Sequence, residues 1–161
     1  MIDDPPEADA NAADSYVAFV LGGEGYAVPV DRVREVLDEG ALTAVPGGSA
    51  WLVGLCNLRG RVVPVWDLRG PFGLEQRPRE TTPCVLMVEP EAAAGPRLAG
   101  LLVDRVSDVL DVPAGEVEPA PSLGLGGGSS YVRGMIPHQG RFLLVLDLDR
   151  VLGALAASGE P

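Results

Sequence analysis

The chain has 161 residues, 47% of them hydrophobic, and its 12 basic side chains, all arginine, face 23 acidic ones for a net charge of −11. A chain of this length buries roughly 70% of its unfolded surface, which suits one globular unit or two small fused ones. The acidic balance argues against a nucleic-acid surface and a polybasic membrane patch, and two cysteines with one histidine cannot form a Cys/His zinc site.

The chain opens with an acidic, Pro/Ala-rich stretch over residues 1–14, which we expect to be a disordered tail. Short apolar runs cut by turn residues follow, and this pattern is typical of a mainly β fold. The first two runs, Tyr16–Leu21 and Tyr26–Val30, flank a Gly-rich loop and predict a hairpin. Further strands are predicted at 53–58, 62–68, 84–88, 98–103, 132–136 and 142–146, and a C-terminal helix at about 148–157.

Two places in the chain carry the signature of a helix start. Asp31 precedes Val33, Val36 and Leu37, whose spacing predicts a short capped helical turn. Asp147 precedes a longer apolar pattern and is expected to cap the C-terminal helix.

The sequence repeats itself. Val28–Leu37 aligns without gaps on Leu101–Leu110, and Gly54–Gly73 aligns without gaps on Gly134–Gly153. Matched blocks in the same order predict two copies of one small β unit, each of about 65–75 residues. We expect a first subdomain at about 15–82 and a second at about 83–150, with the helix ending near 157 and a short tail at 158–161.

Side chains for chemistry are scarce. Cys56 and Cys84 lie within apolar runs and are expected to be reduced, buried thiols, and His138 falls at a predicted turn. The Gly-rich run at 124–130 has no lysine and no following helix, so it predicts a connection and not a phosphate site. We expect no enzyme activity, no cofactor and no metal.

Two segments remain as candidates for a binding site, namely Asp31–Leu37 and the turn Asn57–Gly60. One interpretation is an ordinary capped turn beside an ordinary surface hairpin. The other is an apolar stripe bordered by Glu35 and Arg59 that receives an amphipathic helix of a partner. The residue pattern alone leaves both open.

A longer motif resembles a known family. The stretch VGLCNLRGRVVPVWDLR (Val53 to Arg69), preceded by VPVDRVREVL and followed by LLVDRVSDVL, is similar to the CheW family of chemotaxis coupling proteins. The resemblance extends from about Tyr16 to Leu155. It implies two tandem SH3-like five-stranded β-barrels with short helical turns and a C-terminal helix. It also implies a non-catalytic adaptor that binds the cytoplasmic tip of chemoreceptors and the regulatory domain of a CheA-type histidine kinase.

The resemblance also implies where the adaptor acts. Such proteins are cytoplasmic monomers without membrane insertion of their own, recruited to receptor arrays at the membrane. Their receptor-binding groove lies between the two barrels. The matching receptor-binding positions here are Val33, Glu35, Val36, Asn57, Leu58 and Arg59, and the expected kinase-binding positions are Leu42, Thr43 and Val45.

Three alternatives stay open at this point. The first is a CheW-like adaptor of a non-flagellar pathway, such as pili motility or another kinase cascade. The second is the detached regulatory domain of a kinase. The third is a β-barrel that binds a small ligand. Such a protein would need a polar pocket, and a chain with one histidine and no lysine has few side chains to line it.

Overall fold

The computed structural model describes residues 13–38, 42–47, 51–72, 83–90, 98–119 and 131–158. Most of the predicted N-terminal tail and the Gly-rich run lie outside this part of the chain, whereas Ala13 and Asp14, expected in the tail, begin the first strand. The strands are β1 Ala13–Leu21, β2 Glu24–Pro29, β3 Val33–Asp38, β4 Leu52–Leu58, β5 Arg61–Asp67, β6 Cys84–Val88, β7 Ala99–Val103, β8 Arg105–Pro113, β9 Val132–His138 and β10 Arg141–Leu146. The helices are α1 Arg69–Phe72 and α2 Leu148–Ser158.

The strands form two five-stranded sheets, which confirms the predicted mainly β fold with two subdomains. Sheet A has the order β8-β1-β2-β10-β9, and sheet B has the order β3-β6-β7-β5-β4. Both are antiparallel except for one parallel contact each, β2 with β10 and β5 with β7. Within the described ranges the two edge strands of a sheet do not pair with each other, so each SH3-like barrel stays open along one seam.

The sheets share one topology because the chain contains the same five-strand unit twice. Strands β1–β5 correspond to β6–β10, and exchanging each strand for its counterpart converts the order of sheet B into that of sheet A. Each copy gives its first two strands to one sheet and its last three to the other. The sheets therefore do not follow a division near residues 82 and 83: sheet A combines β1 and β2 with β8, β9 and β10, and sheet B comprises β3 to β7.

The best-matched block of the repeat marks the two crossings between sheets. Val30–Arg32 form a 3₁₀ turn between β2 and β3, and Asp104 alone separates β7 from β8. Asp104 Oδ2 accepts a hydrogen bond from the N–H of Gly22 at 2.9 Å, and its own N–H donates to the carbonyl of Val20 at 3.0 Å. These short, anchored connections send the third strand of each copy onto the other sheet.

The capped helical turn predicted over Asp31–Leu37 is wrong. Asp31 lies inside a 3₁₀ turn whose N-cap is Pro29, with no side-chain cap, and from Val33 the chain continues as β3, paired with β6. The ladder steps from Val33 directly to Glu35, so Arg34 is an extra residue in a β-bulge. A bulge reverses the alternation of side chains, and it places Val33 and Val36 on one face of the strand. That i, i+3 spacing is what imitated a helix in the sequence.

Three apolar clusters hold the two sheets. The central cluster lies between the sheets, and each sheet also curls around a cluster of its own on its far face. The central cluster contains Val17, Phe19, Leu21, Tyr26, Val28, Trp66, Leu68, Leu86, Val88, Ala99, Leu101, Val103, Leu146, Leu148, Val151 and Leu155. The sheet A cluster is Ala18, Ala27, Val112, Ile136, Leu143 and Val145, and the sheet B cluster is Leu58, Val63, Val65, Val85, Met87 and Leu102.

An aspartate lies just before each helix, at matched positions of the repeat. The predicted cap of the C-terminal helix is confirmed, because Asp147 Oδ1 accepts the N–H of Arg150 at 3.2 Å. Its counterpart Asp67 accepts the N–H of Arg69 at 3.0 Å and also binds the Arg69 guanidinium, with both side chains buried. No helix in the described residues is long and apolar enough to cross a membrane.

Candidate functional site

The site is organised around the two-residue turn that joins β4 to β5. Arg59 and Gly60 both have positive φ, 52° and 84°, which is the geometry of the hairpin turns that match strand twist. The side chain of Asn57 stabilises the turn, since its Oδ1 accepts the N–H of Gly60 at 3.0 Å. The turn thereby holds Arg59, a residue with a Cβ, in a conformation that ordinarily costs about 1–2 kcal/mol.

Arg59 forms a two-pronged ion pair with Glu35 of β3. Its Nη1 lies 2.8 Å from Glu35 Oε1 and its Nη2 lies 3.3 Å from Glu35 Oε2. The Arg59 side chain is 74% exposed, while that of Glu35 is 26% exposed. A pair this exposed stabilises a fold by only about 0–1 kcal/mol. It spans the open seam of sheet B, because β3 and β4 are the unpaired edges of that sheet.

The six expected receptor-binding residues do not share one face. Glu35 lies on the same side of β3 as Leu37, which packs on the sheet B cluster, to which Leu58 also belongs. Val33 lies on the opposite side and packs against the central cluster, and Val36, on that same side, is 46% exposed. The structure thus brings Glu35, Leu58 and Arg59 together and separates them from the two valines.

Glu35, Leu58 and Arg59 line an open depression of about 300 Å³ at one end of the half-open barrel that sheet B forms. Its lining is completed by Arg34, Arg61, Glu89 and Leu98. All of these residues belong to sheet B or to the segments directly flanking its strands. This depression therefore lies at the end of one half-open barrel, and not between the two barrels.

A second ion pair borders the depression, and no local sequence pattern indicates it. Arg34 Nε lies 2.5 Å from Glu89 Oε1, and its Nη1 donates to the carbonyl of Asp31 at 3.1 Å. The two partners are separated by 55 residues. Only the register of β3 on β6 brings them together, so the signal that could have found them is the strand pairing and not any local motif.

The expected kinase-binding residues lie along the outer edge of β4. Thr43 exchanges both backbone hydrogen bonds with Leu55, at 2.9 and 2.8 Å. Gly54 permits this crossing, because a Cβ at that position would lie 2.7 Å from the Thr43 carbonyl oxygen. Val45 is 36% exposed, which leaves an apolar side chain on this edge. These residues are distinct from the lining of the depression.

The chemistry available at the site is binding by charge and apolar contact. Within the ranges that the structure describes, no three His, Cys, Asp or Glu side chains are grouped to hold a metal ion. Cys84 is an unpaired thiol whose pKa is raised, chiefly because burial disfavours the thiolate. A raised thiol pKa makes a poorer nucleophile near neutral pH.

Comparisons with known proteins agree on one family. A model of the CheW-like domain matches residues 15–156. Chemotaxis protein CheW of Rhizobium meliloti (strain 1021) is 32% identical over 141 residues, which are 88% of each chain. Protein PilI of Pseudomonas aeruginosa is 36% identical over 109 residues, 68% of this chain and 59% of that protein. The crystal structure of scaffolding protein TtCheW from Thermoanaerobacter tengcongensis matches with a TM-score of 0.73 and 27% identity, covering 83% of this chain and 88% of that one.

Proposed function

The chain belongs to the CheW-like domain family, and on that premise we propose that it is a non-catalytic adaptor that couples chemoreceptors to a CheA-type histidine kinase. The names of its relatives support this function, since they include chemotaxis proteins and a scaffolding protein. The proposal places the chain in the cytoplasm, as a monomer recruited to receptor arrays. No bond is made or broken by the adaptor itself.

The mechanism we propose is coupling through contact energy. An adaptor that binds receptor and kinase at separate surfaces transmits receptor state when that state changes the free energy of its contacts. Two sheets joined by a shared central cluster form a body stiff enough to carry such a difference from one surface to another. The receptor surface includes Glu35, Leu58 and Arg59, with Asn57 positioning the turn.

One observation carries this assignment: Arg59 is a charged residue in a turn that does not need it for its shape. The counterpart turn has Gln139 and Gly140 at φ 53° and 78°, almost the same geometry, without a cation. The fold therefore tolerates a neutral residue here. Because the Glu35–Arg59 pair is exposed, it adds little to the stability of the fold. We assign it to orienting the partner.

The test is a charge reversal with a matched control in the other copy. Arg59→Glu places two carboxylates side by side, and we expect it to weaken binding of a receptor cytoplasmic fragment by about tenfold or more. Gln139→Glu introduces the same residue into the equivalent turn and should leave affinity unchanged. Equal affinities of both variants and the parent chain would remove Arg59 from the receptor site, and thermal unfolding checks that both variants fold.

The kinase surface we propose is the edge of β4 carrying Leu42, Thr43 and Val45. Its support is the exposed Val45, which lies two residues after Thr43, whose backbone pairs with Leu55 at the edge of β4. Because this edge and the depression are lined by different residues, the chain offers two separate surfaces to two partners. A Val45→Asp variant that still binds kinase normally would contradict this placement.

An adaptor of a non-flagellar pathway is a second candidate function. The similarity to protein PilI of Pseudomonas aeruginosa favours it, at 36% identity over 109 residues. The scaffolding mechanism is the same in both cases, and the difference lies in which receptors and kinase are bound. Binding assays with receptor fragments and kinases from both kinds of pathway, taken from the source organism, would separate the two.

A further inference from the structure

We propose that the depression beside the Glu35–Arg59 pair receives a carboxylate side chain of the partner, and that Arg61 is the residue that binds it. This inference rests on the proposed function and specifies the chemistry of its receptor site. The occupant is a segment of the receptor that presents an acidic side chain next to an apolar one.

The charges of the depression are the first argument. Its lining includes three arginines and two glutamates, so that one positive charge is left over. Glu35 is bound by Arg59, and Glu89 is bound by Arg34. Among the described residues, Arg61 forms no ion pair, and it is exposed at the start of β5. Arg61 is therefore the arginine of this depression that has no carboxylate partner among the described residues.

The setting of this charge is the second argument. The chain as a whole has a net charge of −11, and yet three of its 12 arginines line this one depression. A small positive region on an acidic protein attracts negative groups of a partner, while the negative charge of the rest of the protein repels such groups elsewhere. A guanidinium binds a carboxylate through two parallel hydrogen bonds, which also fixes its orientation.

The apolar floor is the third argument. Leu58 is nearly buried at 9% exposure, and Leu98 is half-buried, and both pack with the sheet B cluster. An acidic side chain on its own gains nothing from such a floor. An apolar neighbour on the same partner segment would cover it, and excluding water there would strengthen the contact with Arg61.

The duplication provides an internal comparison. The counterparts of Arg34, Arg59 and Leu58 in the other copy are Ser107, Gln139 and His138. The backbone of the turn is nevertheless the same in both copies. The two copies have thus diverged at these three positions while keeping the turn, whereas Arg61 and its counterpart Arg141 are both arginine. The fold therefore does not require the charges of Arg34 and Arg59, and the assignment of Arg61 rests on its place in the depression without an ion pair among the described residues.

The experiment uses the full chain and measures its affinity for a receptor cytoplasmic fragment. Arg61→Glu should weaken binding about tenfold, and Arg61→Lys should weaken it less, since a lysine keeps the charge but not the paired hydrogen bonds. The matched control is Arg141→Glu, because Arg141 is the counterpart of Arg61 and begins β10. It should bind like the parent chain.

The outcomes separate this inference from the proposed function. If Arg59→Glu weakens binding and Arg61→Glu does not, the carboxylate site is wrong and the receptor site stands. If neither variant weakens binding, both are wrong. An equal loss in Arg141→Glu would assign the effect to net charge and overturn the inference.

A second measurement identifies the carboxylate itself. Each exposed acidic residue of the receptor fragment is replaced by lysine in turn, and each variant is titrated with the Arg61→Glu chain. One replacement should restore most of the lost affinity. If no replacement restores it, a carboxylate is not what Arg61 binds.

Discussion

At the scale of single residues, the best example of environment changing chemistry is Tyr26 of β2. Its ring lies 5.8 Å from that of Phe19 and 5.3 Å from that of Phe72, between centroids, within the central cluster. Burial, aided by the carboxylate of Glu24, raises the pKa of Tyr26 to about 12. The phenol therefore stays neutral in the folded chain at a pH where it ionises in the unfolded chain.

This shift predicts a loss of stability in alkali. Above the ordinary tyrosine pKa of about 10 the unfolded state binds fewer protons than the folded state, so the free energy of unfolding falls as pH rises. The contribution of Tyr26 is fully present below pH 10 and is lost between pH 10 and about 12. Chemical unfolding of the parent chain and of Tyr26→Phe across this range measures it. The variant should show a shallower decline, and parallel curves would contradict the assignment.

Single residues also show what sequence alone could predict. Local patterns predict the helix cap at Asp147 and the hairpin turn that ends at Gly60, because each depends on residues close together in the sequence. The Arg34–Glu89 pair was missed, because its partners meet through strand register over a long sequence separation. Glu35 and Arg59 already border the apolar stripe that the residue pattern offers as one interpretation, and the structure places the two side chains in contact.

At the scale of elements, the two helices occupy matched positions of the repeat but differ in how closely other residues pack around them. Helix α1 follows Asp67 and is short, while α2 follows Asp147 and contributes Leu148, Val151 and Leu155 to the central cluster. A glycine in each helix shows the difference. A Cβ at Gly70 would overlap the indole ring of Trp51, whereas a Cβ at Gly153 would meet nothing within 4 Å.

The same substitution should therefore have opposite effects in the two helices. Gly70→Ala forces the Trp51 ring to move and should lower the free energy of unfolding by about 1–3 kcal/mol. Gly153→Ala removes the flexibility of a helical glycine in open space and should raise it by about 0.5–1 kcal/mol. Denaturant unfolding of both variants is the measurement. Destabilisation by Gly153→Ala, or no effect of Gly70→Ala, would contradict the packing described here.

The strand β3 explains why one element was predicted wrongly. Its valines are three residues apart, and in an unbroken strand such residues would point to opposite faces. The bulge at Arg34 puts them on the same face, so a helical spacing arises within a strand. Periodicity analysis has no means of distinguishing these cases, because the bulge is created by pairing with β6.

At the scale of the whole molecule, the sequence repeat predicts one β unit present twice, but not which strands lie together. The eight strands predicted from apolar runs omit β3 and β8, the strand that follows the crossing in each copy. Each copy is completed by strands of the other, so neither half of the chain contains a whole sheet. The exchange follows from the short crossings at Val30–Arg32 and Asp104, whose geometry depends on hydrogen bonds between distant segments. The repeat matches these residues in both copies, but the alignment does not show that the chain changes sheet there.

The exchange also has a mechanical consequence. The central cluster contains side chains from both copies, and separating the sheets would expose the largest of the three apolar clusters in the described part of the chain. The two sheets should therefore unfold together in one transition. A rigid body of this kind suits a protein that acts by holding two partners in fixed relation.

The central claim, that the chain is a scaffold between receptor and kinase, is tested most directly by reconstitution. The full chain is mixed with a receptor cytoplasmic fragment and a CheA-type kinase from the source organism, and both complex formation and kinase autophosphorylation are measured. We predict that receptor fragment and kinase enter one complex only when the chain is present. In that complex the rate of kinase autophosphorylation should differ from that of the kinase alone. Receptor and kinase that behave identically with and without the chain would contradict the account.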